Sequence, residues 1–465
     1  MMPAVPGGQD FQAFLAWYRD RHPDDVLEIA EAVDGNQEIT ALAEGLAQRG
    51  GEQPALLLRK VLGLDCEVVT NLFASRRRVA RMLGVDTAQL HVTYQARSRR
   101  LTPMHEVKEG PVLDVVQHGD AVDLPTLPML KHFETDRGPY ITNAVMVAEH
   151  PHTGAGNLSY HRSTIHSTNE IATSLHSRGD LWRLLQIAAE RGRPLPVAMV
   201  IGAHPLFMLA ASARVPFGVD EREVAGGLLG EPLQVVRTPR HGLRVPAHAQ
   251  FVLEGTIDPN ARADEGPFGE FTGYSSDRST NTLFKVDAIL RRRDAVLVDV
   301  LGGHSDEHLN LARIPRESEM AEKLMQRFPG VTALHYPNSG THFHAYVALK
   351  QMRAGEARQV MLGLLGWDPY LKTVIAVDPD VDVTRDEQVL WALATHFQPH
   401  RDLLVVDGLP GSALDPSASG AGTTSRMGMD ATRGPGFEGV KALVSQGAVR
   451  RATEILSRTE LSRRA

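Results

Sequence analysis

Apolar positions in the first 110 residues repeat with helical and strand periods in alternation. Residues 10–20 have the pattern of an amphipathic helix that begins at Asp10, a residue type that often caps helix N-termini. The other elements predicted here are helices at 38–49 and 75–83, each followed by glycine, and strands at 26–29 and 55–59. We therefore predict an N-terminal α/β domain over residues 1–110.

The middle of the chain, residues 111–313, is rich in predicted strands and poor in helices. Its segment 196–202 is almost continuously apolar, which is typical of a buried strand. A helix is predicted at 180–192, with Asp180 at its start and a glycine at its end. Further strands are predicted at 140–147, 231–237, 249–254 and 294–301.

From residue 314 to 465 strands and helices alternate again, which predicts a C-terminal α/β domain. Segment 372–378 is a near-continuous apolar strand. The other elements predicted here are a helix at 387–395, a strand at 403–406, a mobile Gly/Ser/Pro-rich loop at 408–422 and a last helix at 440–456.

Composition narrows the class of protein. The chain has 465 residues, of which 42% are hydrophobic and 23% charged, as expected for a globular protein of two or three domains. A formal net charge of −7 argues against a nucleic-acid partner. The single cysteine, Cys66, lies in a predicted strand at 64–69 as a core thiol and allows no intramolecular disulfide. Without a leader pattern or an 18-residue apolar run, we expect a cytoplasmic protein with no membrane partner.

The segment Glu265-Gly-Pro-Phe-Gly-Glu270 carries two carboxylates five residues apart. This spacing suits neither one face of a helix nor one face of a strand, so a bent loop must aim both acids if they share a site. Two carboxylates in one cleft suit acid–base chemistry because each disfavours ionisation of the other. The alternative interpretation is an acidic surface turn.

A second group of candidates surrounds the sequence Asn157-Leu-Ser-Tyr-His-Arg162. Arg162 could hold a carboxylate or phosphate with its planar guanidinium, and Asn157 offers a hard oxygen for Mg²⁺ or Mn²⁺. Asp180 and Glu221 are further oxygen donors. The sequence contains no HExxH or CxxC zinc pattern, no GxGxxG or GxxxxGK[ST] nucleotide pattern and no GxSxG elbow.

Taken together, several motifs in order resemble the UbiD-type decarboxylases. They are NLFASRRRVARMLGV at 71–85, GPYIT at 138–142, GNLSYHR at 156–162, VIGAHP at 200–205, GVDEREVAGGLLGEP at 218–232, EGPFGEFTGY at 265–274, VIAVDPDVDV at 374–383 and MGMDATR at 427–433. This resemblance implies a prenylated-FMN enzyme that reversibly decarboxylates aromatic or α,β-unsaturated acids. It also implies a central split β-barrel domain like that of flavin reductases, a dimerising C-terminal domain, a homodimer and a flavin prenyltransferase that supplies the cofactor.

The resemblance assigns roles to individual residues. Arg162 and Glu265 would form a pair that positions the substrate carboxylate, and Glu270 would deliver the proton. Cofactor binding would fall to Asn157, Ser159, Tyr160, His161, Arg162, Arg178, Gly179, Asp180 and Glu221. Mn²⁺ or Mg²⁺ would be held by Asn157, Asp180 and Glu221, and K⁺ by carbonyls near Ala211 and Ser212 together with Glu221.

One position departs from the family pattern. Asp180 stands where the family has a histidine ligand, and His176 lies four residues earlier, so either could serve. Asp180 could instead only cap its helix. The substrate pocket is expected near Phe268, Phe271, Leu301 and the 408–422 loop, for either a small (hetero)aromatic acid or a longer unsaturated acid.

Two other functions compete with the decarboxylase. A metal-dependent hydrolase could use Glu265 and Glu270 around Asn157, Asp180 and Glu221, and would need no flavin. A cofactor-binding subunit could also have lost turnover.

Overall fold

The structure is a computed structural model that describes residues 7–175, 179–418, 422–434 and 436–464. The N-terminal elements are α1 (Phe11–Arg21), β1 (Val26–Asp34), α2 (Glu38–Arg49), β2 (Ala55–Leu62), β3 (Val68–Thr70), α3 (Arg76–Met82) and α4 (Leu90–Ser98). Asp10 caps α1 as predicted, since its carboxylate accepts a hydrogen bond of 2.9 Å from the Ala13 amide.

The middle of the chain is built almost entirely from antiparallel strands. Its elements are β4 (His105–Glu106), β5 (Val115–His118), β6 (Val145–Glu149), β7 (Gly156–Tyr160), β8 (Ser163–Ile165), β9 (Glu170–Thr173), α5 (Asp180–Glu190), β10 (Leu195–Ile201), α6 (Pro205–Ala210), α7 (Glu221–Leu229), β11 (Gln234–Arg237), β12 (Arg244–Pro246), β13 (Phe251–Glu265), β14 (Phe268–Gly269), β15 (Ser275–Ser276), β16 (Ser279–Arg291) and β17 (Leu297–Val298).

The C-terminal region is α/β, as predicted. Its elements are α8 (Asp306–Arg327), β18 (Val331–His335), β19 (His344–Leu349), α9 (Glu356–Trp367), β20 (Thr373–Val377), α10 (Asp386–His396), α11 (Pro399–Asp402), β21 (Leu403–Pro410), β22 (Thr423–Ala431) and α12 (Gln446–Arg464). Its five-stranded sheet has the order β18-β19-β20-β22-β21, with β20 parallel to both neighbours. The continuous apolar run of β20 follows from this position, because helices cover both faces of the sheet.

The large central sheet has the order β7-β6-β10-β13-β16-β9-β8, and β5 also pairs with β16. Its two edge strands, β7 and β8, are consecutive in the chain and are separated only by His161 and Arg162. The sheet must therefore curve until its two edges approach each other, which is the geometry expected of a barrel. Arg162 lies at the seam where they meet.

Two elements tie the central region to its neighbours. β17 leaves the central sheet and completes the N-terminal sheet, whose order is β1-β2-β3-β17. The predicted domain boundary between residues 313 and 314 lies inside α8, so one continuous helix leads from the central region into the C-terminal one. One apolar core accordingly contains Phe14 of α1, Val69 of β3 and Val200 of β10.

Several element boundaries differ from the sequence prediction. The strand predicted at 140–147 begins only at Val145, and Tyr140 and Ile141 form isolated bridges instead. Cys66 lies in a bend before β3 rather than in a strand, half-buried, where burial raises the pKa of its thiol. The strand predicted at 249–254 extends to Glu265, because β16 pairs with β13 as far as that residue, whereas β10 pairs with it only as far as Ile257.

Candidate active site

Arg162 and Glu265 form the centre of the site. The Arg162 Nε atom lies 2.9 Å from Glu265 Oε1, and its Nη2 lies 2.9 Å from Oε2, so the pair is bidentate. Glu265 ends β13 and is fully buried, while the Arg162 side chain is 16% exposed. The barrel seam and the end of its longest strand therefore bring together two residues that are 103 positions apart.

Two further side chains complete the surroundings of Glu265. The Tyr140 hydroxyl donates to Oε1 at 3.1 Å, and Asn281 Nδ2 on β16 donates to Oε2 at 2.9 Å. Burial, together with the charge of Glu265, raises the pKa of Tyr140 well above its usual value, so this hydroxyl stays a donor. Sequence reasoning missed both roles; the GPYIT motif pointed at Tyr140, whereas no sequence signal marks Asn281.

Glu270 reaches the same arginine from the loop that follows β13. Its carboxylate forms an ion pair with Arg162 Nη1, and its backbone N–H donates to the Tyr274 carbonyl at 2.9 Å. The ring of Phe268 lies 5.1 Å from the guanidinium carbon of Arg162. The prediction that a loop would aim both acids is thus half correct: a strand end places Glu265, and the loop places Glu270.

Glu270 also borders a cavity of about 400 Å³ between the N-terminal helix α2 and the start of α8. Its other walls include Thr40, Phe133, Leu301 and Asp306. Of the predicted pocket residues that the structure describes, Leu301 alone lines this cavity. Phe271 points elsewhere and packs on the C-terminal region, with ring centroids 4.5 Å from His342 and 5.6 Å from Phe343.

The predicted metal ligands Asn157 and Glu221 are in contact. Asn157 Nδ2 donates to Glu221 Oε1 at 3.3 Å, and the Leu158 amide donates to Oε2 at 2.9 Å. Burial raises the pKa of Glu221 to about 8, and the charges of Asp220 and Asp180 act in the same direction. A buried carboxylate whose nearest charges are other carboxylates fits a site for a hard cation, which would replace the proton.

Asp180 lines a small cavity together with Asn157, His150 and Gly218. It is the first residue of α5, and Gly179 is the N-cap, so the prediction that Asp180 caps this helix is wrong. Its carboxylate lies in the first turn, 3.5 Å from Arg183 Nη1. Among the described residues, no three His, Cys, Asp or Glu side chains gather as a metal site, so an amide such as that of Asn157 would have to contribute.

The remaining predicted cofactor residues divide between two faces of β7. Ser159 Oγ lies 3.4 Å from Asn157 Oδ1 and 2.9 Å from His161 Nε2, which makes one face of the strand a polar row. Tyr160 faces the core, and its hydroxyl donates to the Met208 carbonyl of α6 at 2.8 Å.

Ala211 and Ser212 follow the C-terminal end of α6, where they are hydrogen-bonded to Phe207 and Leu209. Their coordination of K⁺ stays a prediction. Arg178 and His176 lie outside the described residues. No helix in the described part of the chain combines the length and the apolar character needed to cross a membrane.

Family models match nearly the whole chain. The N-terminal, Rift-related and C-terminal domains of 3-octaprenyl-4-hydroxybenzoate carboxy-lyase match residues 19–97, 105–305 and 309–431. The anhydromevalonate phosphate decarboxylase of Methanosarcina mazei is 31% identical over 409 residues, which are 87% of this chain and 94% of the relative. The corresponding enzyme of Aeropyrum pernix is 32% identical over 403 residues, covering 85% and 90%.

Solved structures of UbiD-class enzymes are also similar to this chain. The UbiD-class enzyme HmfF of Pelotomaculum thermopropionicum in complex with FMN is 31% identical, with a TM-score of 0.88 over 94% of this chain and 98% of that one. An evolved dimeric form of HmfF in complex with prFMN is 29% identical, with a TM-score of 0.84 over 95% and 100%. The vanillic acid decarboxylase of Sedimentibacter hydroxybenzoicus in open form is 29% identical, with a TM-score of 0.84 over the full length of both chains. The chain therefore belongs to the UbiD family, and it is a decarboxylase, that is, a carboxy-lyase.

Proposed function

We propose that this chain uses prenylated FMN to decarboxylate, reversibly, an α,β-unsaturated or (hetero)aromatic carboxylic acid. The observation that carries the proposal is the single guanidinium shared by two carboxylates, one buried and one at a cavity. Arg162 binds Glu265 through Nε and Nη2 and Glu270 through Nη1. The two acids thus have different surroundings, which is how one site assigns them different roles.

Glu265 acts as the fixed acid. Four donors surround its carboxylate, namely Arg162 Nε and Nη2, the Tyr140 hydroxyl and Asn281 Nδ2. Because both carboxylate oxygens are held by these donors, Glu265 in turn holds Arg162 in place. A fixed guanidinium positions the carboxylate of the substrate before CO₂ leaves.

Glu270 acts as the proton donor. It lies on a loop, borders the cavity and has one ion pair with Arg162, whereas Glu265 has several fixed partners. When the substrate carboxylate takes over Arg162 Nη1, Glu270 loses its ion-pair partner. Glu270 then accepts a proton from solvent and delivers it to the substrate carbon that lost CO₂.

Asn157, Glu221 and Asp180 would hold a divalent cation, Mn²⁺ or Mg²⁺, which would supply positive charge for an anionic cofactor. The contact of Asn157 with Glu221 and the burial of Glu221 support this assignment. When bound, prenylated FMN supplies the electron sink for loss of CO₂, and the protein supplies position and charge. K⁺ near Ala211 and Ser212 and a homodimer through the C-terminal region are parts of the same proposal.

The cavity beside Glu270 favours an acid without a phosphate group. None of the described residues that line it is lysine or arginine, whereas Glu44 and Asp306 are acidic. Binding a phosphate normally requires cationic side chains or free helix N-terminal amides. The N-terminus of α8 at this cavity is already capped by Ser305 and carries Asp306 and Glu307 in its first turn.

The test is to produce the chain together with a flavin prenyltransferase and to measure CO₂ release from aromatic, heteroaromatic, 2-enoic and phosphorylated unsaturated acids. We expect bound modified flavin and turnover of an unphosphorylated acid. Glu270→Gln should retain flavin and metal but lose about 10²–10⁴-fold in rate, the usual contribution of a general acid.

Two results would contradict the proposal. Loaded protein that neither releases CO₂ from any of these acids nor exchanges product protons with deuterated solvent would be a binding subunit. A Glu270→Gln variant that keeps more than about a tenth of the wild-type rate would exclude Glu270 as the donor.

A further inference from the structure

Asp136 is hydrogen-bonded to the loop that carries Glu270. Its Oδ1 accepts a hydrogen bond of 2.8 Å from the Gly269 amide, and its Oδ2 accepts one of 3.0 Å from the Phe133 amide. Only 3% of Asp136 is exposed, so both bonds are shielded from water. Gly269 directly precedes Glu270, so the Asp136 carboxylate fixes the peptide from which the proposed proton donor projects.

Phe133 supports the same loop by packing. A Cβ built at Gly269 would lie 2.8 Å from Phe133 Cε2, and one built at Gly303 would lie 2.8 Å from the same atom. The ring therefore fits between two glycines, one in the Glu270 loop and one before α8. Only residues without a side chain allow this approach.

The segment that contains Phe133 and Asp136 is itself anchored. His132 Nδ1 lies 3.2 Å from Thr40 Oγ1, and His132 Nε2 lies 3.3 Å from Asp299 Oδ1. Thr40 belongs to α2, and Asp299 directly follows β17. Contacts with α2 and with the residue after β17 therefore hold this segment in place. The segment in turn holds the loop that carries Glu270.

We propose that Asp136, assisted by Phe133, is a positioning residue for Glu270. This inference rests on the proposed function, in which Glu270 transfers the proton. Asp136 has no contact with Arg162 or Glu265 among the described hydrogen bonds and ion pairs, so it acts through the Gly269 peptide. Its loss should affect proton transfer more than binding of the acid.

The first experiment compares Asp136→Asn with a matched control in the prenylated-FMN holoenzyme. An amide offers one acceptor oxygen in place of two, so the variant keeps the shape of Asp136 but loses one of its two bonds. Glu254→Gln is the control, because Glu254 is also buried and accepts backbone amides, those of Arg240 and His241, on another part of β13.

We expect kcat of Asp136→Asn to fall about 10–100-fold, the usual effect of a displaced catalytic group, while KM changes less than about threefold. The solvent deuterium isotope effect on kcat should rise, because proton transfer becomes slower than the other steps. Amide exchange of residues 266–275 should accelerate in both apoprotein and holoenzyme, and flavin content should stay constant. Glu254→Gln should show none of these changes.

The second experiment uses the packing of Phe133. Gly269 does not have a left-handed backbone, so Gly269→Ala strains the structure only through the Phe133 ring. We expect Gly269→Ala to lower kcat at least tenfold and Gly269→Ala/Phe133→Ala to recover part of the loss, since alanine lacks the ring atoms that the new methyl group would meet. Thermal melting and flavin content of both variants distinguish a displaced Glu270 loop from a general loss of stability.

The inference is overturned if Asp136→Asn keeps kcat within about twofold of Glu254→Gln, if its loop amides exchange as in the wild type, or if the double variant is no better than Gly269→Ala. Failure of the proposed function gives a different result. In that case the wild-type holoenzyme itself shows no turnover, while the loop amides still exchange faster in Asp136→Asn.

Discussion

Arg162 and Glu265 meet in a two-point ion pair, with 2.9 Å between Nε and Oε1 and 2.9 Å between Nη2 and Oε2. The carboxylate is fully buried at the end of β13, and the guanidinium lies where the two edges of the central sheet approach each other. The approach of the two sheet edges therefore also brings Arg162 to Glu265. Changes to this pair should affect both stability and activity.

Arg162→Lys should be inactive and less stable. Lysine has a single ammonium group that cannot span both oxygens of Glu265 and reach Glu270 as well. Lysine keeps the charge but leaves one oxygen of the buried Glu265 carboxylate without its donor, which costs roughly 1–3 kcal/mol. Urea unfolding and the CO₂ assay measure both effects. The control is Arg237→Lys, whose exposed pair with Glu106 should contribute less than about 1 kcal/mol. Equal stability of the two variants would contradict the assignment.

Tyr140→Phe should lower kcat and stability by loosening the start of the Glu270 loop. The hydroxyl donates to Glu265 Oε1 at 3.1 Å and accepts from the Gly266 amide at 3.1 Å, so the variant leaves a buried N–H without this acceptor. Such a loss costs roughly 1–3 kcal/mol.

The control for this variant is Tyr336→Phe, which removes a buried hydroxyl from the Asp368 carboxylate, 2.9 Å away in the C-terminal region. The melting temperature should fall in both variants, but kcat should fall only in Tyr140→Phe. If the two variants retain the same kcat, Tyr140 has no role beyond stability.

Asp180→Ala should release the metal and the flavin, and Asp180→Asn should bind the metal more weakly. Asp180 raises the pKa of the buried Glu221 by its charge, and a divalent cation would neutralise both acids. Mn²⁺ and flavin are measured after desalting.

The matched control is Asp386→Ala, which removes an acid from the same first position of α10. Asp386→Ala should have a lower melting temperature, because it loses a favourable interaction with the helix dipole. It should keep both the metal and the flavin. If Asp180→Ala behaves in the same way, Asp180 only stabilises its helix, and His176 becomes the ligand to test.

The apoprotein should lose stability as pH rises from about 4.5 to 7, because of Glu307. Burial raises the pKa of Glu307 from 4.5 to about 7, so the folded state binds more protons than the unfolded state in this window. The unfolding free energy then falls as pH rises, by roughly 3 kcal/mol for this group, and the loss is complete above pH 7.

Glu307→Gln removes the titration and should flatten the pH dependence of the urea midpoint. One amide oxygen can still accept from the Asn71 and Leu301 amides, as Oε2 does at 2.8 Å and 2.9 Å. Glu387→Gln, on an exposed side chain, serves as the control and should leave the slope unchanged. If Glu307→Gln keeps the wild-type pH dependence of the urea midpoint, a group other than Glu307 causes that dependence.

Short-range preferences in the sequence determined many of the secondary-structure elements of this protein. The alternation of elements predicted α/β regions at both ends, and the Asp10 cap and the apolar run of β20 were placed correctly because short-range preferences agree with the final packing. The ordered motifs marked Arg162, Glu265 and Glu270 and the family. Each of these motifs spans only a few consecutive residues and needs no knowledge of the fold.

Only the tertiary structure decided how these residues meet. β13 extends to Glu265 because β16 pairs with it as far as that residue, and no local pattern reports a partner elsewhere in the chain. Asn281 reaches Glu265 through pairing of β16 with β13, and Asp136 reaches Gly269 across 133 positions. Strand pairing and loop packing set these two contacts, so the sequence could identify the acids but not Asn281 and Asp136, which hold them in position.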